Sequence, residues 1–256
     1  MKHGVLLIAL LAVSCSAPAP PPAAKKQEEP AYFHVDPKTA ATLRGKVLFK
    51  GPRPRLKMLQ LDEDAACAQL NRGRLSEETI IVAPGGTLAN VFVYVKAGLE
   101  GKRFAPPPPE QTVTIDQKNC RFDPHVFAVR VGQTIRITNS DPVTHNIHPQ
   151  PEMNREWNQS QPEGSPALER KFVRPETMIR VKCNVHSWMR AYVSAVEHPY
   201  FAVTHADGTF EIPNLPPGKY TLEARQEKLG AQELTVELAP SEQKPVEFVY
   251  PGASNP

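Results

Sequence analysis

The sequence predicts an all-β chain, organised as two β-sandwiches behind an export signal and a tether. Short runs that alternate apolar and polar residues, such as "TLRGKVLFK", "LANVFVYVKAG" and "HVFAVRVGQTIRITNSD", recur along the chain and are closed by Gly and Pro turn signals. The 28 prolines cluster between these runs, and stretches with helical period are hard to find. A length of 256 residues suffices for two modest cores. The formal charge is only +3, with Lys and Arg interleaved with Asp and Glu and no basic run carrying aromatics, so nucleic acid is not an expected partner.

The chain opens on "MKHGVLLIALLAVSC", one early lysine and an apolar stretch too short to span a bilayer, which reads as an export signal over residues 1–15. Its ending resembles a bacterial lipobox. That resemblance implies lipidation of Cys15 and attachment to the periplasmic or cell-surface face of a bacterial membrane; ordinary cleavage after "SAPA" is the alternative, and either route takes the protein out of the cytoplasm. Residues 16–39 begin with "SAPAPPPAAKKQEEP", whose Pro/Ala composition and lack of apolar period predict an extended tether. The first sandwich is expected over 40–198, with "FAPPPPE" as a stiff surface loop.

After His198 the texture changes to Asp-Gly and Pro-Pro-Gly turns between alternating strands, which predicts a second, smaller sandwich over 199–252. The stretch "DGTFEIPNLPPGKYTL" resembles carboxypeptidase regulatory-like domains, which implies a transthyretin-like or starch-binding-like fold without catalysis. Tyr200, Phe210 and Tyr220 fall in strand phase as core residues, as does Phe201.

Chemistry concentrates in "IRVKCNVHSWMRAY", Ile179 to Tyr192. Ile179, Val181 and Cys183 share one strand face, which aims the Cys183 thiol inward at the strand end, and the turn "NVHSWM" carries His186 and Met189 back over it. A second strand, with Ile135 and Ile137 inward, delivers His145 and His148 in the loop that follows. A single cysteine, histidine or methionine in a turn is ordinary core packing. Two imidazoles, one thiolate and one thioether at a single pole are the ligand set of a mononuclear blue-copper site.

Cys-x2-His-x2-Met after a strand, with a distant His-Asn, resembles the cupredoxins, with a ligand loop closest in length to that of amicyanin and shorter than that of plastocyanin. The resemblance spans roughly Asp116 to Val196. It implies a Greek-key sandwich holding type 1 copper through His145, Cys183 and His186, with Met189 axial and the Asn146 backbone N–H directed at the Cys183 sulfur. His148 reads as a surface histidine or an alternative ligand, and His125 as structural. Two features depart from the family: the approach "ETMIRVKC" lacks aromatics, and a long insertion follows His148, in which Trp157 either covers the metal or anchors the loop.

With Cys183 given to copper by the resemblance, Cys67 and Cys120 remain as an expected disulfide, the alternative being a second metal site made with His125. The functional expectation is an exported carrier of single electrons, serving transient redox proteins. His186 is then the exposed ligand, with Trp188 beside it as a docking residue or, in the other reading, as an inward anchor of the loop. Catalysis is not expected, because no His-x-His pair supplies a second, substrate-binding copper. Two rivals remain: copper storage or delivery, and a surface module that binds glycan or peptide through residues 199–252.

Overall fold

The computed structural model describes residues 31–61, 64–72 and 74–252. The expected export signal, Cys15 and the expected tether as far as residue 30 lie outside these.

Among the described residues the path begins in one sandwich, leaves it for another, and returns. Strand β1 (Ala41–Lys50) is followed by a long segment with the short helix α1 (Ala65–Leu70), then by β2 (Phe92–Ala97). Next come β3 (Val113–Lys118), β4 (Arg121–Asp123), β5 (Val126–Arg130), β6 (Ile135–Asn139) and β7 (His145–Gln150). They are continued by β8 (Gln159–Gln161), β9 (Leu168–Arg170), β10 (Glu176–Lys182) and β11 (Arg190–Val196). The chain ends with β12 (Phe201–Val203), β13 (Thr209–Leu215), β14 (Gly218–Gln226), β15 (Gly230–Leu238) and β16 (Gln243–Pro251).

The fold is an all-β sandwich architecture, with four sheets among the described residues. Those ordered β5-β11-β10-β7-β8 and β4-β3-β6-β9 supply one core, which contains Ile115, Phe122, Ile137, Val181 and Val193. Those ordered β13-β1-β16 and β12-β2-β14-β15 supply the other, with Leu43, Val93, Ile212, Leu222 and Tyr250. Tyr200, Phe210 and Tyr220 are buried there, so they offer no aromatic platform to a glycan, while Phe201 is half-buried.

Strand sharing differs from the expected division at residue 198. β1 pairs in parallel with β16 from Thr42↔Gln243 to Lys50↔Pro251 and antiparallel with β13, while β2 pairs with β12 and β14. The early strands therefore complete the C-terminal sandwich, and β3 to β11 form a sandwich of their own between them. Alternation in "TLRGKVLFK" announces a strand and its inward face; it carries no information about a partner some two hundred residues away. Gly45 marks the close approach, since a Cβ there would lie 2.3 Å from the Phe210 ring and 2.7 Å from Val246.

The segment between β1 and β2 makes a separate excursion. Leu61, Cys67 and Leu75 leave their own sandwich and pack into the core of the other. The expected disulfide Cys67–Cys120 is present and fastens this segment across 53 residues of sequence. In the chain-entropy account a loop of that length stabilises the fold by about 4 kcal/mol. The sandwiches also meet at Phe92, Val126 and Val196, and through His125, whose Nε2 lies 2.5 Å from Glu227 Oε1 while Nδ1 lies 3.1 Å from the Arg190 carbonyl. Among the described residues, no group of potential metal-ligating side chains includes His125.

Candidate metal centre

Two adjacent strands converge on one pole. β10 runs antiparallel to β7 with Val181↔Pro149 and Lys182↔His148, so the residue after β10, Cys183, comes level with Ile147, two residues along β7 from His145. The expected phase holds: Ile179, Val181 and Cys183 are buried and Arg180 is exposed. His145 was expected in a loop, but it opens β7, because "HNI" pairs with β8 (His145↔Gln161, Ile147↔Gln159). The turn after Cys183 closes through Met189 N–H to the His186 carbonyl (3.0 Å) and Cys183 N–H to the Met189 carbonyl (3.1 Å). That folds Met189 into the core.

His145, Cys183 and His186 are 0 %, 3 % and 2 % exposed, and their ligand atoms all lie within 4.8 Å of one another. The two Nδ1 atoms face each other at 2.9 Å, and Cys183 Sγ is 3.9 Å from His186 Nδ1. Each Nε2 meets a carboxylate: His145 Nε2 is 2.8 Å from Asp141 Oδ2, and His186 Nε2 is 3.1 Å from Asp64 Oδ2. Those acceptors hold the protons on Nε2 and turn the Nδ1 lone pairs toward the sulfur. Two nitrogen lone pairs at 2.9 Å repel unless a proton or a cation lies between them.

Without a metal the pole resolves this by charge. Burial opposes ionisation of Cys183, but hydrogen bonds from both imidazoles and from the His186 N–H prevail and hold the thiol down to about 6. Burial likewise opposes protonation of His145, and its bonds to Asp141 and Cys183 outweigh this and lift it to about 8. His186 is raised as well, against its burial, by Cys183 and Asp64. Asp64 is lowered, first by the Cys67 N–H and then by His186. Asp141 is lowered against its burial by His145 and the N–H groups of Cys120 and Asn119.

The donor set fits a metal ion. The donor separations of 2.9 Å between the Nδ1 atoms and 3.9 Å from Cys183 Sγ to His186 Nδ1 are short enough for a single ion to bridge. One soft thiolate and two imidazoles suit copper in either oxidation state.

The surroundings depart from expectation in three ways. Asn146 contributes through its side chain: Oδ1 accepts the Asn184 N–H at 2.8 Å and Nδ2 donates to Asn158. The hydrogen bond to Cys183 Sγ is donated by the His186 N–H, at 3.4 Å. The His186 ring, expected at the surface, is buried, and Trp188, expected beside it as a docking residue or an inward anchor, packs inward. Its ring is 9 % exposed, 5.0 Å from the His186 ring, and its Nε1–H donates to the Cys120 carbonyl at 3.1 Å. The cause is the excursion carrying α1 and Cys67, which covers the edge of His186.

His148 turns away to Glu156 and Asn184, and Trp157 packs at the core edge under Arg170, anchoring the insertion. Asp64 and Asp141 escaped the sequence reading. Asp141 stands four residues before His145 and had a local signal, whereas Asp64 lies 122 residues from His186 and had none.

No family model matches the chain, and no curated protein matches it. Among solved structures it is similar to the copper-containing nitrite reductase of Thermus scotoductus SA-01, at 18 % identity and a TM-score of 0.32 over 40 % of this chain. It covers only 25 % of that protein's length. It is also similar to a purple cupredoxin from Nitrosopumilus maritimus, at 20 % identity and a TM-score of 0.28 over 32 % of this chain and 98 % of the other. An oxidised proline-to-glycine mutant of amicyanin matches at 18 % identity and a TM-score of 0.30, over 40 % of this chain and 97 % of the other.

Proposed function

We propose that this chain is an exported mononuclear copper protein that carries single electrons between redox proteins and catalyses no reaction. The observation that supports this most is the pair of Nδ1 atoms at 2.9 Å, each ring pinned from behind by a carboxylate, beside a thiol that ionises near neutrality. His145, Cys183 and His186 would hold the ion, with the buried Met189 of the same turn as a candidate thioether donor, and copper bound there would supply a one-electron couple. The chain's own contribution is rigidity. Strands β7 and β10, the carboxylates and the Asn146–Asn184 bond hold the ligands in one arrangement, so little reorganises when the charge changes.

Storage or delivery is the rival reading, and the burial of all three ligands weighs against it, since a metal handed onward needs an open route. The side of the ligand turn that reaches solvent carries Asn184, Val185 and Ser187, with Val185 53 % exposed, so a redox partner would approach there instead of over His186. Adding Cu(II) should produce an intense thiolate-to-copper absorption in the visible, and Cys183→Ser should abolish it. A colourless copper-bound protein, or an equally coloured Cys183→Ser, would refute the reading.

A further inference from the structure

The outer face of β10 carries charge that the fold leaves uncompensated. Side chains alternate along the strand, so Ile179, Val181 and Cys183 point to the core while Arg180 and Lys182 point away from it. Register sets Lys182 opposite Arg190 of β11 and His148 of β7, and Arg180 opposite Tyr192 and Gln150. Arg180 and Arg190 are exposed and Lys182 is half-buried. Three cations thus gather on adjoining strands beside the ligand turn, two of them directly opposite each other, an arrangement that costs stability.

Among the described residues no ion pair relieves them. The carboxylates around this face are held elsewhere: Glu156 by His148 at 2.5 Å, Glu227 by His125 at 2.5 Å and Glu78 by Arg121 at 3.3 Å. Glu77 lines a small pocket with Arg190 without pairing to it. Nor do the charges guard a sheet edge, because β10 and β11 both lie inside the order β5-β11-β10-β7-β8. Farther down the same face Met178 and Tyr192 pack with Phe92 of the other sandwich, which leaves the charged end uncovered.

We propose that this face, Arg180, Lys182 and Arg190 with Val185 at its rim, docks a redox protein that presents a carboxylate-rich surface. The proposal rests on the electron-carrier reading and gives the partner its chemistry. Lys182 and Asn184 adjoin Cys183 in the chain, so a partner held at Lys182 stands over backbone bonded directly to the residue that would hold the ion. Val185, 53 % exposed, supplies an apolar contact beside the cations. A few unpaired charges around one apolar residue suit a small interface that forms fast by electrostatic steering and separates fast. One electron crosses it and no atom moves, so the partner is reduced as this protein is oxidised, or the reverse.

The test follows oxidation of the reduced, copper-loaded full chain by two small probes in stopped flow. Hexacyanoferrate(III) is a trianion and tris(phenanthroline)cobalt(III) a trication. Hexacyanoferrate should react about 10-fold faster at low salt than at high, as steering by exposed cations requires, and poly-L-glutamate should slow it. Lys182→Glu with Arg190→Glu should slow hexacyanoferrate about 10-fold and speed the cobalt complex, whereas a change in driving force would move both rates the same way. Lys118→Glu with Arg136→Glu alters net charge equally on the other sheet of this sandwich, where both residues are exposed, and should leave both rates near wild type. A second readout needs no copper. Hexacyanochromate(III), a redox-inert paramagnetic trianion, should broaden amide resonances within 180–190 of the metal-free wild type and spare them in Lys182→Glu with Arg190→Glu. Equal effects of the two charge-reversed proteins, or broadening that leaves 180–190 untouched, would overturn the proposal. So would rates indifferent to poly-L-glutamate but suppressed by vesicles containing phosphatidylglycerol, which would assign the face to an anionic lipid surface. A copper-loaded protein that neither probe oxidises would sink the electron-carrier reading, and the hexacyanochromate map would still show whether this face collects anions.

Discussion

Replacing Asp64 by asparagine tests whether the carboxylate behind His186 orients the ring. Oδ1 of Asp64 accepts the Cys67 N–H at 2.8 Å and caps α1, while Oδ2 faces His186 Nε2 at 3.1 Å. The asparagine would keep the cap through its side-chain carbonyl and present an NH2 donor to Nε2. The imidazole would then place its lone pair on Nε2 and its proton on Nδ1, the atom that faces Cys183 and His145. Loss of such an orienting partner costs 10–100-fold in metal affinity, or about 1.4–2.7 kcal/mol. The Asp64 side chain is a quarter exposed, so water can relay part of the bond and the effect should fall near 10-fold. Asp141, whose side chain is buried, should sit at the upper end when changed to asparagine. Copper affinities of both variants, measured by chelator competition, check the ranking, with urea unfolding of the metal-free proteins as a control for the fold. An Asp64→Asn protein of unchanged stability that binds copper within twofold of wild type would refute the argument.

Three further expectations concern the thiolate, the tryptophan and the N-terminus. The lowered Cys183 thiol stabilises the metal-free protein fully above its ordinary value near 9, and that stability is lost as pH falls through about 6. The raised His145 has the opposite sign, present below about 6.5 and lost as pH rises through about 8, so the charged pair should be strongest between about 6 and 8. Unfolding midpoints of metal-free wild type against Cys183→Ser across that range measure it, and a difference independent of pH would contradict it. Trp188→Ala should lose about 3–5 kcal/mol in urea unfolding, as for a buried ring, and a wild-type midpoint would mean that the side chain lies outside the core. Labelled fatty acid should enter at Cys15 in a bacterial host and Cys15→Ala should free the chain from membranes; a soluble wild type beginning beyond Cys15 would refute the anchor.

Period-two alternation marked many of the strands, because a pleated strand imposes its period on any sequence with one buried face, and it placed Cys183 on the inward face of "IRVKC". The spacing Cys-x2-His-x2-Met and the distant His145 were legible for a similar reason: a turn of fixed length leaves few places for a ligand to stand. What the tertiary structure decided came from contacts between distant segments. The pairing of β1 with β16 reassigned the early strands to the C-terminal sandwich, and alternation in either strand is silent about its neighbour. The covering of His186 by α1 and the disulfide, the inward turn of Trp188 and the carboxylate behind His186 all depend on residues 53 to 122 positions apart meeting at one pole. Local pattern records which way a side chain points, whereas which segment comes to lie over it is settled only when the whole chain has packed.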